Sequence, residues 1–524
     1  MFRPPVNRAM RQLDRSFFQK RIPLAAARVL DTKQISNCIS DLSEELLYLE
    51  RCTVVRPGPM DNDLWRGRKA LLLRPRIKPD DASTWTPTIH QLIEKRVVDV
   101  APWELELNYD YWTYQDIMHA IIPEDEQGEL PTGFSIVGHV AHLNLRKQYL
   151  PYKDLLATVL LDKNPTIRTV INKIDDVGTE NEYRTFDYEL LAGKPDLNVE
   201  VKEEDCIFRF DYSKVYWNSR LNTEHRRLVE MFQEGEAVCD VMAGVGPFAV
   251  PAGKKKVFVW ANDLNPDSYA SLGDAIKRNK VHQFVKAFNE DGRAFIRNSA
   301  AQLLKERHDV DVTPKQAPRR RRPLPKKLPR PPKQILKQPN TFNHYVMNLP
   351  ATATTFLDAF IGLYRGHETI FSPHTANKLP MVHVHCFSTK SDDNKEEKIK
   401  ICQAISSRLG HEITPEDSEV EIWDVRDVAP NKRMFCASFR TLIKTQDYLD
   451  VFARFKQKEN IEAVERMLTS HDELELFERS QLGSLCCESA EEAKTLIPSI
   501  SNKISDGDLQ ELLDDMMKLR NFVE

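Results

Sequence analysis

Two periodicities divide the chain. From residue 222 onward, short apolar runs alternate with longer segments in which apolar positions recur every three or four residues. The runs EAVCDVM, VFVWAND, QFVKAFNED, NHYVMNLP, MVHVHCFST, VEIWDVRDVAP and MFCASFRTL read as strands. Helices are expected to begin near Thr223, Phe248, Asn265, Gly292, Ala353 and Ser391. This alternation predicts a parallel sheet with helices on both faces. The short APNKR turn joins the last two strands, so the final strand should run antiparallel. The expected fold class is α/β, a Rossmann-like seven-stranded sheet preceded by two smaller α+β domains.

Upstream the pattern is mixed. Residues 31–105 carry helix-like patterning (Ile35 to Leu49, Ile89 to Val98) around the strand candidate ALLLRPRI, a small α+β domain. Residues 106–220 open on an aromatic cluster from Tyr109 and a helix ending near Ile122. The strand candidates GFSIVGHVAHLNLR, TVLLD, RTVINKI, YRTFDYELLAG and CIFRFDYSKV follow, a middle α+β domain. The alternating region takes in 221–450, with a Pro/Arg/Lys-rich insertion at 305–340 that contains RRRRPLPKKLPRPPK. Proline there opposes regular structure. Residues 1–30 form a basic segment, and 451–524 an acidic, polar, partly disordered extension with an amphipathic end.

Composition narrows the class. The 524 residues are 41% apolar, and no apolar run is long enough to span a bilayer, so no membrane association is expected. Nine cysteines without a C-x-x-C pair point to free thiols in a reducing compartment. A net charge of −4 means that an anionic partner must be met by a local patch. Basic residues in 1–30 suit a mitochondrial presequence, and the insertion suits a nuclear signal, so cytoplasm, nucleus and mitochondrial matrix are all expected locations. His383-Val-His385-Cys386 lacks the usual zinc spacings and reads as alternation on a buried strand, so no metal is expected.

The chemistry begins at DVMAGVGPFAVPA, where Gly244 and Gly246 follow the first strand of the sheet. Ligands of open parallel sheets lie at the carboxyl ends of strands, and missing side chains let backbone approach them. Asp263 ends the second strand, 263 − 244 = 19 positions beyond the first glycine, a spacing suited to a ribose acceptor. Asp291-Gly292 ends the third, placed to meet an adenine amino group. Ala249 replaces the third glycine of a dinucleotide fingerprint, and no P-loop lysine is present. Adenosine without phosphates points to S-adenosylmethionine. Asn348-Leu-Pro350-Ala, after the fourth strand, resembles the stiff Asn/Asp-Pro-Pro-aromatic loops that amino-group and ring-nitrogen methyltransferases aim at their target nitrogen.

Six ordered blocks carry a wider resemblance: GHVAHLNLR, NEYRTFDYELLAG, FDYSKVYWNSRLNTEHRRL, DVMAGVGPFAVPA, NDLNP and NLPA. Across residues 105–445 the chain resembles the eukaryotic and archaeal tRNA (guanine(37)-N1)-methyltransferases, class I enzymes dependent on S-adenosylmethionine. It departs from their pattern at Ser219, where they have proline. The resemblance implies Glu224 as general base, Arg184 as assisting residue and Asn348 at the active site. It also implies a cofactor pocket of His225, Asp240, Gly244, Gly246, Asp263, Leu264, Asp291, Gly292, Asn348 and Pro350. The implied partner is tRNA, anticodon stem-loop and body, bound by a monomer. Arg146, Lys147 and Lys173 are candidate phosphate contacts, and Tyr183 with Tyr216 or Trp217 candidate stacking partners, each equally suited to packing. Two other readings stay open: an aminocarboxypropyl transferase of wybutosine synthesis with the same pocket, and a tRNA-binding homologue without activity.

Overall fold

The computed structural model describes residues 2–58, 65–130, 133–174, 183, 185, 187–314, 332–372, 374–440, 455 and 458–521. The chain forms two compact units, residues 1–202 with 207–220, and 203–206 with 221–524.

Among its described residues the first unit holds two four-stranded sheets. One comprises β1 (Lys20–Val29), β2 (Val55–Pro57), β3 (Lys69–Leu72) and β4 (Val98–Leu107) in the order β2-β3-β1-β4, with helices α1 (Ile35–Asp41) and α2 (Pro87–Glu94). Strand β1 lies inside the segment that the sequence sets apart as 1–30, which corrects that boundary. It pairs along its length with β4 and through Ala26–Val29 with β3. Pro23 sits where only β4 is a partner, so its missing amide interrupts no ladder. The strand's two arginines are matched by acids across the ladder, Arg28 to Asp99 at 2.6 Å and Arg21 to Glu106 at 2.9 Å.

After α3 (Tyr114–Ile121), closed by a Thr113/Asp116 capping box, come β5 (Ser135–Val137), β6 (Val140–Leu143), α4 (Lys153–Lys163), β7 (Thr169–Lys173) and β8 (Tyr188–Gly193). The expected strand TVLLD is the second half of α4. Its buried Val159 and Leu160 continue an apolar run from Leu155 that hides the helical period. One hydrophobic cluster draws Phe18, Leu105, Ile117, Tyr149 and Leu155 together, so the 105/106 boundary falls inside a shared core. A hairpin of β9 (Asn198–Glu203) and β10 (Cys206–Asp211) ends the unit, its tip grouping with the second.

The second unit is the alternating region. Its elements are α5 (Asn222–Met231), β11 (Ala237–Asp240), α6 (Ala249–Lys254), β12 (Phe258–Asn262), α7 (Pro266–Arg278), β13 (Val285–Phe288), α8 (Gly292–Leu303), β14 (Asp309–Asp311), β15 (Ile335–Lys337), β16 (His344–Met347), β17 (Met381–Ser388), α9 (Lys395–Leu409), β18 (Glu421–Ala429) and β19 (Lys432–Arg440). The main sheet runs β13-β12-β11-β16-β17-β19-β18, with β19 antiparallel to both neighbours. Strand order reverses between β11 and β16, the point at which such sheets open a ligand crevice. Residues 315–331 of the insertion lie outside the described residues. Its flanks pair as the β14–β15 ribbon, so the insertion is not irregular throughout.

Period-2 alternation assigns the two faces. Trp260, Tyr345, Met347, Val382, Val384, Phe435 and Ala437 join one large core, which sends His383, His385 and Cys436 to the opposite face. Residues 458–521 of the C-terminal region form packed helices, where a partly disordered extension is expected from the sequence. Four helices, α10 (Lys458–Thr469), α11 (Leu476–Leu485), α12 (Ala490–Leu496) and α13 (Asp506–Asn521), enclose their own core of Leu474, Leu482, Ile500, Leu509 and Met516. Among the described residues no helix is long and apolar enough to cross a membrane.

Candidate active site

Strand β11 ends on Asp240, which is fully buried, with no hydrogen-bond partner for either carboxylate oxygen. Burial drives its carboxyl up to about 8, with Asp263 adding to the rise and His385 opposing it. The loop beyond it needs both glycines in the left-handed region, Gly244 at φ 56° and Gly246 at φ 94°. A Cβ on Gly246 would fall 2.6 Å from Leu272 Cδ1 of α7, so packing also demands that glycine. A Cβ on Gly244 would meet nothing within 4 Å: the space before that backbone is open.

Three strand ends are tied together behind this loop. Buried Asn262 donates to the carbonyls of Val241 and Glu290 and accepts the Glu290 amide. Asp263 accepts the Gly244 amide on Oδ2 at 2.8 Å and the Asn265 amide on Oδ1 at 2.9 Å, while burial raises its carboxyl. Asp291 accepts the amides of Arg293 and Ala294 through Oδ1, so it caps α8 as well as closing β13. Gly292 is buried, and a Cβ there would press on Phe356 at 3.1 Å. Leu264 remains 42% exposed at the end of β12. An orphaned buried carboxyl, open space before Gly244 and an acid at the second strand end together fit an adenosine ligand carrying a cationic amino acid.

The second half of the site lies one strand over. Glu224, in the first turn of α5, is buried and bonded on both oxygens. Arg227 Nε donates to Oε2 at 2.7 Å and Arg227 Nη2 to Oε1 at 2.8 Å, and His385 Nε2 donates to Oε1 at 2.8 Å. Burial pushes the Glu224 carboxyl up, but the Arg227 and His385 donors outweigh it and hold it at about 2. Burial opposes the His385 imidazolium, and Cys436 and Glu224 raise it further still, to about 10. Strands β16 and β17 pair in parallel up to Met347↔Val384, and one further step sets Asn348 beside His385. The Pro350 carbonyl accepts the Phe387 amide at 3.1 Å, which pins the Asn348–Pro350 loop to β17.

His225 faces Phe248 of the glycine loop edge-on at 4.9 Å and is hydrogen-bonded through Nδ1 to Glu203. Glu224, His385 and Cys436 place potential metal ligands within 4.8 Å of one another, yet Arg227 already neutralises the carboxylate that a cation would need. Arg227, His385 and Asn262 are the members of this site that the sequence reading did not select. Arg227 stands in the quoted NTEHRRL block, and His385 in the quoted MVHVHCFST strand.

The remaining predicted residues belong to the first unit or lie outside the description. Arg184 lies outside the described residues. Arg146 and Lys147 are exposed, Lys173 is partly buried, and Tyr183 and Tyr216 are 40% and 46% exposed. Trp217 is corrected: it is 5% exposed and packs against Phe208 and Phe210, each at 5.4 Å, so it is a core residue and not a stacking platform.

Residues 114–196 match a TYW2 N-terminal domain family, residues 199–306 the TRM5/TYW2 methyltransferase domain family, and residues 390–520 the RNA polymerase Rpb4 family. A tRNA (guanine(37)-N(1))-methyltransferase of Aspergillus fumigatus is 57% identical over 454 residues, 84% of this chain and 94% of that protein. The Schizosaccharomyces pombe protein of the same description is 45% identical over 433 residues, 82% and 93% of the two chains. Among solved structures, Trm5b from Pyrococcus abyssi has a TM-score of 0.50 at 20% identity, covering 80% of this chain and 99% of its own. The aTrm5 protein of a complex with tRNALeu has a TM-score of 0.50 at 17% identity, covering 79% and 99%. At such identities the two structures speak for the fold.

Proposed function

The chain belongs to the tRNA (guanine(37)-N1)-methyltransferase family, and from that premise we propose that it transfers the methyl group of S-adenosylmethionine to N1 of the guanosine 3′ of the anticodon in tRNA. The observation that carries the reading is the juxtaposition of a carboxylate, Glu224, with the strand end bearing Asn348, next to a buried Asp240 that has no partner of its own.

When bound, S-adenosylmethionine supplies an electrophilic methyl on a sulfonium. Asp240 and Asp263 are the carboxyls that would hold its ammonium and ribose hydroxyls, and the backbone from Gly244 to Gly246 gives it room. Guanine N1 carries a proton at neutral pH and attacks poorly until it is removed. Glu224 accepts that proton, which frees the N1 electron pair, a contribution typically worth about 10²–10⁴-fold. Negative charge then grows on O6, where a guanidinium, assigned by the family pattern to Arg184, stabilises it. Asn348, on a loop stiffened by Pro350, orients the guanine edge. The base must leave its stack to reach these groups. The proposal also takes the protein as a monomer distributed between cytoplasm, nucleus and mitochondrial matrix.

Glu224→Gln tests the assignment: single-turnover methylation should fall by about 10²–10⁴-fold while tRNA binding persists. Near-normal turnover would remove Glu224 from the chemistry. Mass analysis of reacted tRNA separates the two group transfers. A gain of about 14 Da marks methylation and about 101 Da the aminocarboxypropyl reaction.

A further inference from the structure

We propose that Arg227 is a positioning residue that caps Glu224 in the free enzyme and is displaced as the guanine edge enters, so that the substrate itself uncovers the base. This rests on the reading of Glu224 as the base.

The cap is visible in the geometry. Glu224 has a side chain only 1% exposed, and both its oxygens are taken by the Arg227 guanidinium, with His385 adding a third donor. A carboxylate has lone-pair capacity for a further donor, but a ring N1–H has no route to it while these partners stay. A carboxyl held so far below its ordinary range is also a weak acceptor for the N1 proton. One partner must therefore leave.

The two partners differ in their freedom to do so. His385 is fully buried on the interior strand β17. Arg227 stands on α5 with its side chain 18% exposed and its guanidinium 5.0 Å from the centre of the Trp423 ring on β18, which is itself 44% exposed. Register explains the placing: His385 pairs with Cys436 and Cys436 with Trp423, so the three residues form one row across β17, β19 and β18 beneath α5. The guanidinium already lies over this aromatic face, which can retain it when the carboxylate is given up, and an incoming polyanion supplies phosphate oxygens as alternative acceptors. The groups facing the pair are His383, His385, Cys436 and Glu421 from the sheet and Met231 from α5 itself.

Loss of the cap returns the Glu224 carboxyl toward the ordinary range, so protonation at low pH should then compete with catalysis. The experiment compares wild type, Arg227→Gln, Arg227→Lys and Glu224→Gln in methylation of tRNA transcript from pH 4 to 8. S-adenosylmethionine affinity, measured by calorimetry, checks that each variant is folded. In kcat/KM, which reports the free enzyme, the ratio of wild type to Arg227→Gln should grow by about fourfold between pH 8 and pH 4, as expected for a carboxyl returned to its ordinary 4.5. Arg227→Lys should fall between the two. In kcat, which reports the complex, the ratio should stay flat, because the guanidinium has already left. A ratio flat in kcat/KM overturns the cap and leaves Arg227 a structural role. A ratio growing equally in kcat shows that Arg227 remains on Glu224 in the complex and overturns the displacement. Should Arg227→Gln fail to fold, the Arg227→Lys profiles are read by the same criteria. Near-normal turnover of Glu224→Gln instead removes the base reading itself, and this proposal with it.

Discussion

The Gly244 amide donates to the Asp263 carboxylate at 2.8 Å, joining the glycine loop to the next strand end before any ligand arrives. The same oxygens are the acceptors proposed for ribose hydroxyls, so one side chain both shapes the loop and reads the sugar. Asp263→Asn should weaken S-adenosylmethionine binding roughly 10- to 100-fold, as expected for hydrogen bonds to a charged acceptor. Calorimetry checks this, and an unchanged Kd would end the ribose assignment.

Asp240 makes the free enzyme sensitive to pH in a defined direction. Its folded carboxyl is raised to about 8, against 3.8 for the ordinary group. Between those values the native chain keeps a proton that the unfolded chain releases, so rising pH favours unfolding. The contribution is intact below 3.8 and lost above 8, with a slope of at most about 1.4 kcal/mol per pH unit. Asp240→Asn should therefore gain thermal stability relative to wild type as pH rises from 5 to 8, while binding S-adenosylmethionine less well. A difference in Tm that does not change with pH would contradict the orphaned carboxyl.

Neighbouring aromatics in the first unit should behave oppositely. Trp217→Ala removes a buried ring and should cost about 3–5 kcal/mol of stability in denaturant unfolding. Tyr216→Ala should leave the unfolding midpoint nearly unchanged and weaken tRNA binding by about 1–3 kcal/mol if the exposed ring stacks on a base. Equal stability losses in the two variants would erase the distinction.

The C-terminal helices pack around their own side chains, so damage there should stay local. Leu482→Asp buries a charge in that cluster and should abolish its cooperative melting while single-turnover methylation at 25 °C persists. Hydrogen exchange reads both regions at once. Loss of protection throughout the main sheet would show the cluster to be part of the catalytic core.

The catalytic sheet was legible because buried parallel strands are written as continuous apolar runs, and each of its seven runs became a strand. The placing of Asp240, Gly244, Gly246, Asp263 and Asn348 at the ends of parallel strands was legible, because the alternation of strand and helix fixes which residues close each strand. What escaped depends on distant partners. Glu224 and His385 are 161 positions apart, and no local pattern says that an imidazole from a buried strand will hold the carboxylate of Glu224. Strand β1 hid behind Pro23 and its two arginines, whose acids lie on β4, some 70 or more positions away. The C-terminal helices hid behind their charge, with apolar positions too sparse to stand out until packed.

The short β14–β15 ribbon, anchored by buried Val310 in the core of the second unit, brings the two ends of the insertion together. Closing a loop becomes dearer only slowly with its length, by about 0.6 kcal/mol for each doubling. Evolution can therefore lengthen, shorten or recharge the stretch between those two strands with little penalty to folding, which makes it the natural place for lineage-specific sequence to accumulate.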